Sequence, residues 1–124
     1  MKIVLFFAAF SGMLSVILGA FAAHGLKNKL SVSQLETFQI GVQYQMYHSL
    51  ALILVVILYR QMPQSLLVYS AGFMLAGMLF FSGSLYVLAI TQIKWFGPIT
   101  PLGGLFFIIG WALLMVSVVK GVGY

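Results

Sequence analysis

The sequence predicts an all-α membrane protein, a bundle of four transmembrane helices that pack left-handedly through seams of small residues. Three observations support this fold class. The chain of 124 residues is 63% hydrophobic and 6% charged, whereas soluble domains carry about 25% charged residues. Its mean hydropathy is +1.14. Four apolar stretches, each with the roughly 20 residues needed to cross a bilayer, are separated by short polar connectors.

The charged residues indicate where the membrane boundaries lie. Six cations accompany a single carboxylate, Glu36, and the net charge is +5. A long cationic side chain at the end of an apolar run can extend its charge to the lipid headgroups. A nucleic-acid surface needs clustered Arg and Lys, so we expect no nucleic-acid partner. The absence of Cys excludes disulfides, thiolate catalysis and Cys-ligated metals.

The first predicted helix covers residues 3–24, an uncharged run that ends at His24 and Gly25. Glycine commonly follows a helix because it tolerates positive φ, and a histidine in the last turn interacts favourably with the negative helix end. The alternative is a secretory signal peptide, since Ala20-Phe21-Ala22 resembles a cleavage site. The apolar run exceeds the roughly 7–15 residues of a signal core, which favours a retained helix.

The second predicted helix covers residues 33–60. Ser33 and Glu36 have the S-x-x-E spacing of a capping box, which satisfies free N–H groups at a helix start. The helix is predicted to end at Arg60, because Pro63 follows shortly after.

The third helix is predicted over residues 65–92 and is long enough to tilt or to protrude from the bilayer. The fourth covers residues 98–120 and starts with prolines, which fit a first helical turn because N–H groups there have no partner within the helix. The four helices form one predicted domain, residues 1–124.

Four spans place both ends of this chain on one side of the membrane. We call this side the terminal face, which holds Lys2, Arg60 and Lys120. The opposite side is the loop face, which holds Lys27, Lys29 and Lys94. Three cations on each side leave the positive-inside rule undecided, and we expect the ends to be cytoplasmic.

Small residues recur every seven positions in three of the helices. They are Gly12 and Gly19 with Ala8, Ser15 and Ala22 in the first helix, Ser70, Gly77 and Ser84 in the third, and Gly103, Gly110 and Ser117 in the fourth. Membrane helices associate by close packing at small residues, and a seven-residue repeat predicts left-handed crossing. Chance is the alternative in a glycine-rich chain. Some seams could face neighbouring copies, so a homo-oligomer is expected.

Polar side chains are predicted to concentrate in the half of the membrane next to the loop face. A rise of ~1.5 Å per residue places His48 near the middle of the second span. The candidate ligand-binding residues are His48, Gln45, Tyr44, Ser82, Ser84 and Tyr86. His24 and Glu36 lie at the loop face, where a structural or interfacial role and a mutual pair are expected.

Two interpretations of His48 stay open at this point. An ionisable residue inside a membrane is a functional candidate by default. No carboxylate lies at its depth, however, so a neutral imidazole satisfied by a neighbouring helix fits as well. Two histidines at different depths and one glutamate do not supply the three or four ligands of a metal site. No nucleophile–base pair is evident, so neither an enzyme nor a cofactor is expected.

Four ordered motifs are similar to motifs of one protein family. They are GAFAAHGL at 19–26, YQMYHSLA at 44–51, FSGSLY at 81–86, and TPLGG at 100–104 with Gly110-Trp111. Together they resemble the YgdD/YwdK-like family of small bacterial inner-membrane proteins, a domain of unknown function. The resemblance implies a four-span protein of the bacterial plasma membrane and no catalytic residue. The family's His-Gly and His-Ser pairs fall on His24-Gly25 and His48-Ser49.

Two functional hypotheses follow from the polar cluster. The first is an oligomeric, non-enzymatic scaffold or binding module, whose pocket accepts a membrane lipid or a quinone-like ring beside His48 and Tyr44. The alternative is a small channel or transporter for a solute or ion, whose path is lined by Gln45, His48, Ser82 and Ser84. The apolar half next to the terminal face opposes this alternative, because transport needs access from both sides.

Overall fold

Four membrane-spanning helical segments make up most of the part of the chain that the structure describes. The computed structural model describes residues 1–121, so the last three residues of the predicted domain lie outside it. In chain order the elements are α1 (Lys2–His24), α2 (Val32–Gln61), α3 (Ser65–Gly77), a π-helical turn (Met78–Ser82), α4 (Gly83–Thr91), a 3₁₀ turn (Lys94–Phe96) and α5 (Ile99–Gly121). The π-helical turn joins α3 and α4 into one continuous third span.

All four spans are long and apolar enough to cross a membrane. The predicted fold class, an all-α bundle of four transmembrane helices, is therefore confirmed. Each span packs against the next in the sequence: α1 on α2, α2 on the third span, and the third span on α5. The left-handed sense of the crossings stays a prediction.

The first span lies at the edge of the bundle. Helix α1 packs mainly along α2, and its buried residues are Ala8, Ser15 and Ala22. Large apolar side chains on its other faces are exposed, as a bilayer allows. Because α1 does not pack along the third span, a gap opens between the two.

Helix α2 begins with a capping box, but the predicted pair, Ser33 and Glu36, is wrong. Ser31 is the N-cap: its Oγ accepts from the Gln34 N–H at 3.1 Å, and Gln34 Oε1 accepts from the Ser31 N–H at 3.0 Å. Ser33 already lies within the helix, and Glu36 is exposed. Two overlapping pairs fit the sequence spacing, and the extended backbone at Ser31 decides between them.

The end of α1 also differs from the expectation. Gly25 follows the helix but has φ −79°, so positive φ is not used there. The N–H groups of Gly25 and Leu26 both bond to the Phe21 carbonyl, which closes the helix without a left-handed residue. Leu26 is thereby turned into the core, where its exposed fraction is 8%.

His24 and Glu36 remain at the loop face, as expected, but they do not form the expected pair. Both side chains are exposed, and no hydrogen bond or ion pair joins them among residues 1–121. Their positions at the end of α1 and in the first turns of α2 suit charged groups at a membrane surface.

The small-residue seams are used for contacts within the chain. The seam residues of the third span and of α5 are all buried: Ser70, Gly77 and Ser84, with Gly103, Gly110 and Ser117. In α1, Ala8, Ser15 and Ala22 are buried, and Gly12 and Gly19 also face α2. The seams therefore do not supply a free surface for neighbouring copies.

At Gly103, α5 lies directly against the backbone of the third span. A Cβ at this position would lie 2.7 Å from the Cα of Phe81 and still nearer to its nitrogen. Phe81 belongs to the π-helical turn, and backbone atoms cannot rotate away as a side chain does. Glycine is therefore required at position 103 by the distance between the two helices.

The substitution Gly103→Ala is expected to destabilise the protein by about 1–3 kcal/mol, because the added methyl group must push two backbones apart. Thermal unfolding in detergent measures the effect. The matched control is Gly104→Ala, whose Cβ would meet its nearest neighbour, Phe81 Cδ2, at an ordinary 3.8 Å. This control should melt at or slightly above the parent temperature, since alanine is the better helix former. Equal losses in the two variants would contradict the assignment.

Candidate functional site

The six predicted ligand-binding residues lie in three separate contacts. Gln45 and Tyr86 bond to each other on the side of α2 that faces α1 and α4. His48 and Tyr44 pack their rings together and against α5. Ser82 and Ser84 bond to other groups of the bundle. The structure therefore does not bring the six side chains into one pocket.

Gln45 connects three helices. Its Oε1 accepts the Tyr86 hydroxyl at 2.5 Å, and its Nε2 donates to the carbonyl of Ser11 in α1 at 2.9 Å. The same carbonyl accepts the Ser15 hydroxyl at 2.8 Å. We call Ser11, Gln45 and Tyr86 the glutamine junction. It lies where the amide side chain can satisfy polar groups from both sides of α2.

The two predicted serines hold helices together. Ser82 Oγ donates to the Gly41 carbonyl at 2.7 Å, which joins the third span to α2. Ser84 Oγ donates to the Phe81 carbonyl at 3.0 Å and lies 2.6 Å from Thr100 Oγ1 in α5. Both hydroxyls are buried and engaged within the protein, which supports a packing role for them.

The hydrogen bonds of His48 define its protonation state. Trp111 Nε1 lies 3.1 Å from His48 Nε2, and an indole N–H can only donate. His48 Nε2 must therefore accept, which places the proton on Nδ1. Nδ1 lies 2.8 Å from the Tyr44 carbonyl and donates to it. His48 is thus neutral, in the Nδ1–H tautomer.

The imidazole is also enclosed by aromatic rings. It stacks on Phe107 with a centroid distance of 3.5 Å and an interplanar angle of 9°, and it is only 4% exposed. Tyr44 covers the neighbouring space and packs against Phe81 at 4.6 Å. Both ring nitrogens are occupied by protein groups, so the geometry favours the interpretation of His48 as a satisfied interhelical histidine.

Sequence reasoning missed Trp111 and Phe107 as partners of His48. Trp111 carried a usable signal, because it lies in the middle of a span, away from the interfacial level where tryptophans are usual. An indole N–H at that depth must find an acceptor within the protein. Ser11 carried no signal, since it contributes its backbone carbonyl and not its side chain.

Polar side chains do concentrate in the half of the bundle next to the loop face, but the other half is not free of polar contacts. Ser70 Oγ donates to the Gly110 carbonyl at 2.7 Å, and Gln64 Nε2 donates to the Ser117 carbonyl at 3.1 Å. Close backbone packing along the seam makes these carbonyls reachable. Within residues 1–121, no buried side-chain nitrogen or oxygen lacks a hydrogen-bond partner.

A cavity of about 290 Å³ lies beside the glutamine junction, in the gap between α1 and the third span. We call it the lateral groove. It is lined by Phe7, Phe10, Ser11, Leu14, Gln45, Leu75, Met78, Leu79, Gly83 and Tyr86. Ser11, Gln45 and Tyr86 are the polar residues of the lining, and the others are apolar or glycine. Phe10 and Leu79 are 43% and 70% exposed, so the groove opens sideways towards lipid.

Residues 18–104 match the model of a family described as "Protein of unknown function (DUF423)". The chain belongs to the DUF423 family. The match confirms the family resemblance seen in the sequence motifs. No solved structure matches the chain.

Similar DUF423 relatives have been named as membrane proteins. A UPF0382 membrane protein of Staphylococcus haemolyticus is 48% identical over 99% of this chain and 100% of its own length. YwdK of Bacillus subtilis is 46% identical, with 97% and 98% covered. The inner membrane protein YgdD of Escherichia coli K12 is 35% identical, with 96% and 91% covered. With its four spans, this DUF423 protein is a multi-pass protein of the bacterial plasma membrane.

The glutamine junction of this DUF423 protein has hydrogen-bonding capacity to spare. The Gln45 amide nitrogen carries two N–H groups, of which Ser11 takes one. The Tyr86 oxygen donates its proton to Gln45 and can still accept. Both residues also line the lateral groove.

The substitution His48→Ala is expected to cost roughly 2–4 kcal/mol of stability, because it removes the ring that stacks on Phe107 and strands the Trp111 N–H. His24→Ala is the matched control: it removes the other histidine of the chain from an exposed position and should cost less than ~0.5 kcal/mol. Thermal unfolding in detergent compares the two. Indistinguishable melting temperatures would contradict the structural role of His48.

Proposed function

We propose that this protein is a non-enzymatic binding module of the plasma membrane. Its ligand is a neutral, amphipathic molecule dissolved in the bilayer, with a carbonyl-bearing ring of the quinone type and an apolar tail. The observation that carries the proposal is the polar floor of the lateral groove, where Gln45 and Tyr86 meet Ser11 and the remaining lining is apolar or glycine. A ligand enters from the side, out of the lipid.

The size and chemistry of the groove support this ligand class. Its volume of about 290 Å³ is near the lower end of ligand pockets, roughly 300–1,000 Å³, so it accommodates a ring while the tail stays in the bilayer. A ring carbonyl can accept the second N–H of Gln45. No charged residue lines the groove, which favours a neutral ligand over an ionic one.

The proposed binding site lies at Gln45 and Tyr86 and not beside His48. The sequence placed the ring beside His48 and Tyr44, where both imidazole nitrogens are occupied by protein groups. Gln45 and Tyr86 retain hydrogen-bonding capacity and border an open volume. The proposed site is therefore built on these two members of the predicted six.

The apolar core supports a binding module over a channel. Beyond the polar groups, the half of the bundle next to the terminal face is filled by large side chains that are less than 8% exposed: Leu52, Val55, Leu67, Met74 and Leu114. A path for a solute or ion would have to replace these contacts with polar lining or water. The lateral groove needs no such change, because its mouth faces lipid.

The probe for the proposed site is decylubiquinone, a benzoquinone with a ten-carbon tail. We expect it to raise the melting temperature of the protein in detergent, since a ligand that binds only the folded state stabilises it. Gly83→Leu should reduce this shift by more than half, because a Cβ at Gly83 projects into open space and a larger side chain there occupies the groove. Decane, which has the tail but no ring, should give no shift.

The matched control is Gly72→Leu. Gly72 lies in the same span, and a Cβ there also meets nothing within 4 Å, but Gly72 does not line the lateral groove. It should retain the full shift with decylubiquinone. Equal loss in both variants, or a shift of the same size with decane, would contradict the proposal.

Self-association remains part of the proposal. The three small-residue seams are used inside the chain, so copies would have to meet on another surface. Helix α1 leaves the large side chains of Phe6, Met13 and Ile17 exposed, and none of them lines the lateral groove. Native mass spectrometry in a mild detergent is expected to report more than one copy per particle. A single-copy mass over a range of detergent concentrations would contradict self-association.

A further inference from the structure

A cavity lies at the terminal face, between the start of α1 and the end of α2. Its volume is about 420 Å³, and its lining combines two cations, Lys2 and Arg60, with apolar side chains. We propose that this cavity binds an anionic phospholipid, with the lipid phosphate between Lys2 and Arg60. We call it the basic cavity.

The two cations meet because α1 and α2 are antiparallel. Lys2 is the first residue of α1, and Arg60 is next to the last residue of α2, so both side chains lie at the level where the chain leaves the hydrocarbon. Both are exposed and border the same cavity. Lys and Arg at this depth are attracted to anionic headgroups.

The polarity of the cavity changes with depth in the same order as that of a phospholipid. Leu5 lies about one helical turn deeper than Lys2, and Val56 lies about one turn deeper than Arg60. These two side chains form the wall on the hydrocarbon side, where the first carbons of the acyl chains would lie. The half-buried Tyr59 also lines the cavity.

The charge of the chain favours an anion at this site. The single acidic side chain, Glu36, is in the first turns of α2, at the opposite face of the membrane. Among the described side chains, no carboxylate is therefore placed to neutralise Lys2 and Arg60. A zwitterionic lipid would bring its own cation close to both and should bind less tightly.

The volume of the basic cavity also limits how much of a phospholipid it can hold. A cavity of about 420 Å³ accommodates a phosphate, a glycerol and the start of the acyl chains, with the remainder in the bilayer. A lipid in this cavity would contact the protein through both its phosphate and its first acyl carbons. This distinguishes the site from a basic surface that merely attracts charged lipid. The basic cavity shares no lining residue with the lateral groove, so the two proposals can fail independently.

The test is native mass spectrometry of the full chain in a neutral detergent, titrated with dioleoyl phosphatidylglycerol or dioleoyl phosphatidylcholine. We expect phosphatidylglycerol to bind at least about tenfold more tightly than phosphatidylcholine. The double variant Lys2→Gln/Arg60→Gln should lose about tenfold or more of the phosphatidylglycerol affinity. Lys27→Gln/Lys29→Gln removes the same charge from the loop face and should retain it. Equal losses in the two double variants would overturn the proposal, since they would indicate attraction by net charge alone.

A second pair of variants tests the shape of the cavity without changing charge. Leu5→Trp fills the apolar wall and should weaken phosphatidylglycerol binding several-fold, whereas Ile3→Trp adds the same side chain at a position that is 71% exposed and outside the cavity. If the double charge variant fails to fold by thermal unfolding, this pair decides alone. Equal binding by Leu5→Trp and the parent overturns the proposal.

A third arm distinguishes lipid from free phosphate. sn-Glycerol 3-phosphate carries the headgroup chemistry without acyl chains, and we expect it to bind at least about tenfold more weakly than phosphatidylglycerol. Equal affinity for the two would assign the site to a water-soluble phosphate and overturn the lipid proposal. Arg60→Lys, which keeps the charge, is expected to retain most of the phosphatidylglycerol affinity.

Discussion

Hydrocarbon offers no partner for a hydrogen bond, and the arrangement of these helices depends on that constraint. Each buried polar side chain in the spans is satisfied inside the protein, in several cases by the backbone carbonyl of a neighbouring helix. Two of these carbonyls belong to glycines: Ser82 donates to Gly41, and Ser70 donates to Gly110. A glycine both allows the helices to approach and leaves its carbonyl uncovered. Close packing and polar satisfaction are thus achieved by the same residues.

The same constraint explains why the most conspicuous polar residue is not the proposed site. His48 is deep in the membrane and ionisable, which makes it a natural candidate from sequence. At that depth a neutral imidazole still needs two partners, and Tyr44 and Trp111 supply them. Gln45 has more donor and acceptor positions than His48, so it satisfies its neighbours and retains capacity for a ligand. The number of hydrogen-bond donors and acceptors that the protein leaves unused, and not the polarity of the residue, indicates where a ligand can bind.

Both proposed sites depend on the peripheral position of α1. A helix that packs on three sides leaves little space, whereas α1 packs mainly along α2 and leaves a gap on its flank. The lateral groove lies beside the middle of α1, and the basic cavity lies beside its start. One is apolar with a neutral polar floor, and the other carries two cations at the membrane surface. The difference in depth gives the two sites different ligand chemistry on the same helix.

The sequence by itself determined the four spans, because the thickness of the bilayer sets the length of an apolar run and the cost of burying a charge places Lys and Arg at its ends. It also identified the seam residues of the third span and α5, since a repeat of seven marks one side of a helix. Only the tertiary structure decided that Ser31 and not Ser33 caps α2, that Trp111 binds His48, and that an open volume lies beside Gln45. The sequence gives the position of each residue along its helix, and this position determines how deep the residue lies in the membrane. Which neighbour a side chain meets at that depth depends on how the helices rotate and pack, and this is settled by the contacts of all four spans together.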